Sequence, residues 1–135
     1  MSKKELAIAL HDKNYNCAQS VACALADTIG ADEELVFQAC EGFGLGMGCT
    51  QGTCGAVSGA VMLAGLKNSD GLLRNPQTKA STYKLSALIV DKFEKKNGSL
   101  ICKELKGTET GKVLRPCPDC IMDAVEIAEE VLDLK

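Results

Sequence analysis

Apolar positions recur at three- and four-residue spacing along most of the chain, the signature of amphipathic helices. Ser2 to about His11 predicts a short first helix with Leu6, Ala7 and Leu10 on one face. Asn14 or Asn16 caps a second that runs to about Ile29, with Ala18, Val21, Ala22, Leu25, Ala26 and Ile29 inward and Gly30 as its stop. Asp32 caps a third, whose predicted inner face is Leu35, Val36, Ala39, Cys40 and Phe43. Lys67 to Asn75 reads as a surface connection. Pro76 then opens the longest helix, which buries Leu85, Leu88, Ile89 and Phe93 and ends at Asn97-Gly98. Ser99 to Gly107 holds a short helical turn, and Thr108 to Arg115 is polar loop. The last helix starts at PCPDC and turns Ile121, Ala124, Val125, Ala128, Val131 and Leu132 inward. No strand pattern, internal repeat or long low-complexity tract interrupts the series. The expectation is an all-α bundle of five to six helices, with residues 1–135 as one domain.

One stretch departs from this amphipathic rule. Residues 42–66 read GFGLGMGCTQGTCGAVSGAVMLAGL: glycines at every second or fourth position, then an uncharged segment. The glycines suit a loop of unusual dihedrals or close approach. The segment from about 54 to 66 predicts a helix that is apolar all round and therefore central and buried. Small residues repeat there at four-residue spacing, Gly55–Gly59 and Ala56–Ala60–Ala64, which makes a flat stripe for close helix contact. That stripe serves a contact inside the fold or one between copies in a homo-oligomer. At thirteen residues the segment is short of the roughly 20 needed to span a bilayer.

Composition changes the picture in one respect. The chain is 46% hydrophobic but only 4% aromatic, so its core is aliphatic, and its net charge of −3 with scattered lysines lacks the basic footprint of a nucleic-acid surface. The apolar run before His11 is shorter than a signal peptide requires, which points to the cytoplasm. Against this ordinary background stand eight cysteines. In a cytoplasmic chain with enough apolar residues to fold unaided, such a number points to metal binding or redox chemistry rather than staples.

The eight thiols sort by position. Cys40 falls on a core face and Cys23 beside one without activating neighbours, so both read as packing residues. Cys17, Cys54, Cys102, Cys117 and Cys120 stand at predicted helix starts, where N–H groups and the helix dipole lower a thiol pKa. Cys49 sits in the glycine loop, where both readings stand open. Cys117-Pro118-Asp119-Cys120 is a C-x-x-C motif, used for dithiol exchange or one edge of a metal site. It lacks the βαβ context of a thioredoxin, the second C-x-x-C of a zinc ribbon and the His of a haem-attachment site, where Ile121 stands instead. His11, the single histidine, reads as a solvated surface residue and excludes any two-His site. Tyr15 and Tyr83 read as packing residues with wet hydroxyls. The acidic residues Asp123, Glu126, Glu129, Glu130 and Asp133 read as a solvated helix face.

Cys54-Gly55-Ala56-Val57-Ser58-Gly59 matches a C-G-A-x-x-G signature. Together with Asn16-Cys17-Ala18-Gln19, Cys102-Lys103-Glu104-Leu105 and Cys117-Pro118, in that order, it resembles the redox-active four-cysteine family named C_GCAxxG_C_C. The resemblance spans about residues 13–132. It implies an all-helical protein with four hallmark cysteines acting in redox chemistry or holding a metal centre. By position the hallmarks are Cys17, Cys54, Cys102 and Cys117, with Cys120 able to take the last role and Cys49 an addition to the pattern.

Two function classes follow. In the first, thiolates at helix starts carry out thiol–disulfide or electron-transfer chemistry with an unidentified redox partner. In the second, Cys17, Cys54, Cys102 and Cys117, with Cys49 or Cys120 as further donors, hold an iron–sulfur cluster, zinc or Cu(I) in an all-sulfur site.

Overall fold

Local capping chemistry sets the helix starts in the first third of the chain. The computed structural model describes residues 1–134. α1 (Lys3–Asp12) begins with a capping box in which Ser2 and Glu5 satisfy each other's backbone N–H. α2 (Cys17–Leu25) begins with the same device built from Asn16 and Gln19, continues as a 3₁₀ turn over Ala26–Ile29, and stops at left-handed Gly30. Asp32 caps α3 (Glu33–Cys40) by accepting from the Leu35 N–H at 3.1 Å. After the glycine loop come α4 (Gly55–Asn68), α5 (Lys79–Asn97), α6 (Cys102–Lys106) and α7 (Cys117–Val131). Among the described residues there are thus seven helices and no strand, only an isolated antiparallel bridge between Thr53 and Ile101. The all-α expectation holds. The count exceeds five to six because the turn carrying Cys102 closes into a helix of its own. No helix among the described residues is long and apolar enough to cross a membrane.

α4 is the element the others surround: α2, α5 and α7 all pack on it, and α1 packs across α2 and α7. The core is aliphatic, with Val21, Leu25, Leu63, Ile89, Leu105, Ile121 and Val125 fully buried and Phe93 its one large ring. Helix α4 does not need large side chains on its α2 side because the two backbones nearly touch there. A Cβ placed on Gly59 would lie 2.6 Å from the Ala18 carbonyl oxygen and 3.1 Å from the Ala18 Cα. One turn earlier, a Cβ on Gly55 would lie 2.5 Å from the Cys17 sulfur and 3.1 Å from the Phe43 carbonyl oxygen. The small-residue stripe is therefore used inside the fold, against the start of α2.

Four packing expectations are corrected. Leu35 is 61% exposed and Ala39 is also on the outside, because the short α3 reaches the core only through Val36 and Cys40, one turn apart. Leu88 is exposed, since α5 buries the narrower stripe of Ile89 and Phe93 with Leu85 half-buried. That helix starts at Lys79 rather than Pro76; Asn68 at the end of α4 donates to Ser81 Oγ (2.8 Å) and Thr82 Oγ1 (2.9 Å), which fixes its first turn. α4 itself is not apolar on all sides for the sake of burial. Leu66 is exposed, and Val61 and Met62 are half-covered.

The contact at Gly59 generates a prediction. An interior glycine replaced by alanine gains up to about 1 kcal/mol of helix propensity where nothing crowds it. Here the obstacle is the backbone of Ala18, which cannot rotate away, and overpacking typically costs about 1–3 kcal/mol. Gly59→Ala is expected to lower the thermal midpoint and Gly59→Leu to lower it further, in melts followed by circular dichroism. A midpoint at or above the parent value in Gly59→Leu contradicts the packing described.

Candidate functional site

Four separate stretches of sequence meet beside the start of α4. The first is the start of α2, positioned by Asn16: its Oδ1 accepts from the Gln19 N–H (2.9 Å), and its Nδ2 donates to the Glu41 carbonyl (2.8 Å). Gln19 in turn donates to the Phe37 carbonyl at 3.0 Å. This buried polar set fastens α2 to the turn after α3 and so orients Cys17.

The second stretch is the glycine loop. Leu45, Met47 and Thr50 all have left-handed φ, as do Gly46 and Gly48. Such dihedrals cost a non-glycine residue about 1–2 kcal/mol each, so the loop must be clamped. Within it, the Gly48 N–H bonds the Gly44 carbonyl (2.8 Å), and the Thr50 N–H bonds that of Leu45 (2.8 Å). The outer clamp is the third stretch, residues 100–103. Cys54 N–H donates to the Leu100 carbonyl (2.7 Å), Cys102 N–H to that of Gly52 (3.0 Å) and Lys103 N–H to that of Thr50 (3.0 Å). Gly46 lies flat against the Cys102 side chain, where a Cβ would collide with it. Strain in the loop is thus balanced by bonds that place Cys102 alongside Cys54. The fourth stretch is the start of α7, entered through Pro116.

Together these stretches line a cavity of about 190 Å³ with mostly apolar walls. Cys17, Cys54, Cys102, Cys117 and Cys120 all face it, along with Asn16, Leu45, Gly55, Leu105, His11, Lys106 and Arg115. Of the other thiols, Cys49 is exposed on the loop with its Sγ 3.8 Å from the Gly46 carbonyl, outside the cavity lining. Cys23 and Cys40 are buried elsewhere, Cys40 with its sulfur 3.2 Å from that of Met62. Burial pushes the Cys23 thiol up to about 12 and that of Cys40 up to about 11, the state of inert packing groups.

The expectation that helix starts acidify all the cavity thiols is corrected. Cys17 is raised above the usual thiol range, first by burial and then by the neighbouring charge of Cys54, despite the N–H groups of Leu45 and Ala18. Burial carries Cys102 up to about 11, again aided by Cys54 and opposed by Lys106. Cys54 instead falls, to about 7. The largest cause is a hydrogen bond from the Cys120 thiol, which outweighs burial and is reinforced by the Ala56 and Val57 N–H groups in the first turn of α4. Cys120 is correspondingly pushed up, because giving its proton away would end that bond. The same Cys120 thiol can also donate to the Arg115 carbonyl, 3.6 Å away. When Cys54 ionises, the thiolate is the stronger acceptor and draws the proton to itself. A single proton shared in this manner sets the two sulfurs apart in reactivity.

Two polar residues lie where the sequence did not put them. His11 is half-buried and lines the cavity, its Nδ1 3.1 Å from the Tyr15 carbonyl. Facing a carbonyl, Nδ1 carries the proton in the neutral ring. The signal was the Leu10 register, which brings the end of α1 back onto the start of α2 through the bond from the Tyr15 N–H to the Leu10 carbonyl (3.2 Å). Asp123 is buried rather than solvated. Arg115 Nε and Nη2 reach its two oxygens at 2.9 and 3.0 Å, and Lys96 Nζ reaches Oδ1 at 2.8 Å. Burial pulls its carboxyl upward, but the two cations hold it below the ordinary range. This pair fixes the loop before α7 and with it the approach to Cys117 and Cys120.

Among the described residues, no group of three or more His, Cys, Asp or Glu side chains has its donor atoms arranged to hold a metal ion.

Cys54 reactivity follows from this geometry. Lowered to about 7, Cys54 carries more thiolate at neutral pH than an ordinary thiol, and the fraction grows as pH rises. Iodoacetamide labelling mapped by mass spectrometry is expected to find Cys54 the fastest of the buried thiols, with a midpoint near pH 7. Cys120→Ala removes the donor and should move that midpoint upward by a unit or so, order of magnitude. An unmoved midpoint rules Cys120 out as the cause.

A protein-family model described as "Putative redox-active protein (C_GCAxxG_C_C)" matches residues 15–131. No curated protein and no solved structure matches this chain.

Proposed function

The chain belongs to the C_GCAxxG_C_C family, whose description supports a redox role, and from that premise we propose that it carries out thiol–disulfide exchange with Cys54 as the attacking sulfur and Cys120 as the resolving one. The observation that carries this reading is that Cys54, at the start of α4, and Cys120, in the first turn of α7, line one cavity; the opposite pKa directions of the two thiols agree with it. A nucleophile with pKa near the ambient pH attacks fastest, since a lower one loses nucleophilicity.

The steps balance as follows. The Cys54 thiolate attacks one sulfur of a disulfide, whose S–S bond breaks as the new mixed disulfide forms, and the departing thiolate takes up a proton. Cys120, losing its proton, then attacks the Cys54 sulfur and expels the second thiolate, which is protonated in turn. The substrate disulfide gains two electrons and becomes two thiols, and the protein pair loses two and becomes a Cys54–Cys120 disulfide. Cys17 and Cys102, both raised by burial, line the same cavity with Cys117.

The test uses fully reduced protein and one equivalent of bis(2-hydroxyethyl) disulfide, with quenching by acid and mapping by mass spectrometry. The expected product is a Cys54–Cys120 disulfide. Cys120→Ser should stop at a mixed disulfide on Cys54, and Cys54→Ser should lower the rate at least about a hundredfold, the scale of losing an activated nucleophile. A first adduct on Cys17, Cys102 or Cys117 in the parent protein would contradict the assignment, as would stoichiometric iron or zinc in protein purified without air.

A further inference from the structure

The cavity wall is not electrically neutral. The whole chain carries a net charge of −3, yet no aspartate or glutamate lines the cavity, and its three residues with basic side chains are His11, Lys106 and Arg115. The Arg115 guanidinium is committed to Asp123 through two hydrogen bonds. Lys106 is half-buried and makes no ion pair among the described residues, unlike its neighbour on the same helix, Lys103, which pairs with Glu109 at 3.4 Å. Its charge reaches the thiols, since it opposes the upward shift of Cys102. A cationic side chain left unpaired beside an apolar cleft is poised for an anionic group of a ligand. The nearest acid on α7, Asp119, lies one residue from Cys120 in sequence but outside the cavity lining.

Size narrows the ligand further. Pockets for drug-sized molecules run to about 300–1,000 Å³, and this one is smaller at about 190 Å³. On the basis of the thiol–disulfide reading above, we infer that the substrate is a small disulfide bearing carboxylate groups, with Lys106 as its anion-binding residue. The disulfide lies over Cys54 while a carboxylate pairs with the Lys106 ammonium. The chemistry is the exchange already balanced: the small disulfide is reduced to two carboxylate-bearing thiols, and Cys54 and Cys120 are oxidised to a disulfide. Lys106 takes no part in the electron transfer. It raises the population of disulfides held at the mouth of the cavity.

The experiment compares three disulfides of similar size in single turnovers of reduced protein: the dianionic disulfide of mercaptoacetate, the neutral one of mercaptoethanol and the dicationic one of cysteamine. The readout is the ratio of rates for the anionic and cationic probes, which cancels any general loss of activity. The parent protein is expected to favour the anion by about tenfold or more, a factor that corresponds to about 1.4 kcal/mol. Lys106→Glu should bring the ratio below one and Lys106→Gln should leave it between, with helical content checked by circular dichroism. Added salt should compress the parent ratio, as it does for any partly exposed charge. A parent ratio near one with all three probes consumed overturns the anion preference and leaves the thiol reading standing. A parent preference that survives Lys106→Glu removes Lys106 from the role. Failure to consume even the neutral probe defeats the thiol reading, and this inference with it.

Discussion

The close approach of α4 to α2 is the contact on which the rest of the structure depends. With no side chain at Gly59, the α4 backbone comes within a Cβ's reach of Ala18, and with none at Gly55 the Cys17 sulfur settles over the first turn of α4. A larger residue at either place would force the helices apart. Cys17 would then leave the cavity, and the glycine loop that wraps between them would lose its seat. Tight packing of helices through small residues is commonly a device for stability. Here it also sets the distance between two thiols.

A second balance decides which sulfur can react. Helix starts favour thiolates, and burial disfavours them. For Cys17 and Cys102 burial prevails. For Cys54 a neighbouring donor turns the balance, because the Cys120 proton stabilises only the charged form. The cavity thus places a lowered thiol where α4 begins, near the raised thiols of Cys17, Cys102 and Cys120. The Arg115–Asp123–Lys96 set keeps its charges paired at the cavity wall, and Lys106 makes no ion pair among the described residues. An apolar interior with a single polar entry suits chemistry that must exclude water while admitting a small ligand.

Loop strain and site geometry are linked in the same way. The loop that holds left-handed Leu45, Met47 and Thr50 is closed by the bond from the Thr50 N–H to the Leu45 carbonyl and tied to residues 100–103 through Thr50, Gly52 and Cys54, and those outer bonds are also what bring Cys102 beside Cys54. The unfavourable dihedrals and the thiol arrangement stand or fall together.

Much of this was legible in the sequence because it is local. Capping by Asn16 and Asp32, the stop at Gly30 and Gly98, and the uncharged helix after Cys54 all follow from side chains acting on their own turn of backbone. The ordered cysteine blocks pointed to one family, and the small-residue stripe pointed to a close helix contact. What the sequence could not supply is which distant groups share a surface. The acidity of Cys54 rests on Cys120, sixty-six positions further on, and the high pKa of Cys17 and Cys102 rests on burial created by other helices. Asp123 looked solvated because its helix neighbours Glu126 and Glu130 are, and only the arrival of Arg115 and Lys96 makes its burial tolerable. His11 looked like a surface residue until the end of α1 folded against the start of α2. Periodicity and capping act within a turn or two of backbone and so are written in the chain. Desolvation and the partners that offset it are set by three-dimensional packing, and that is where the tertiary structure decides.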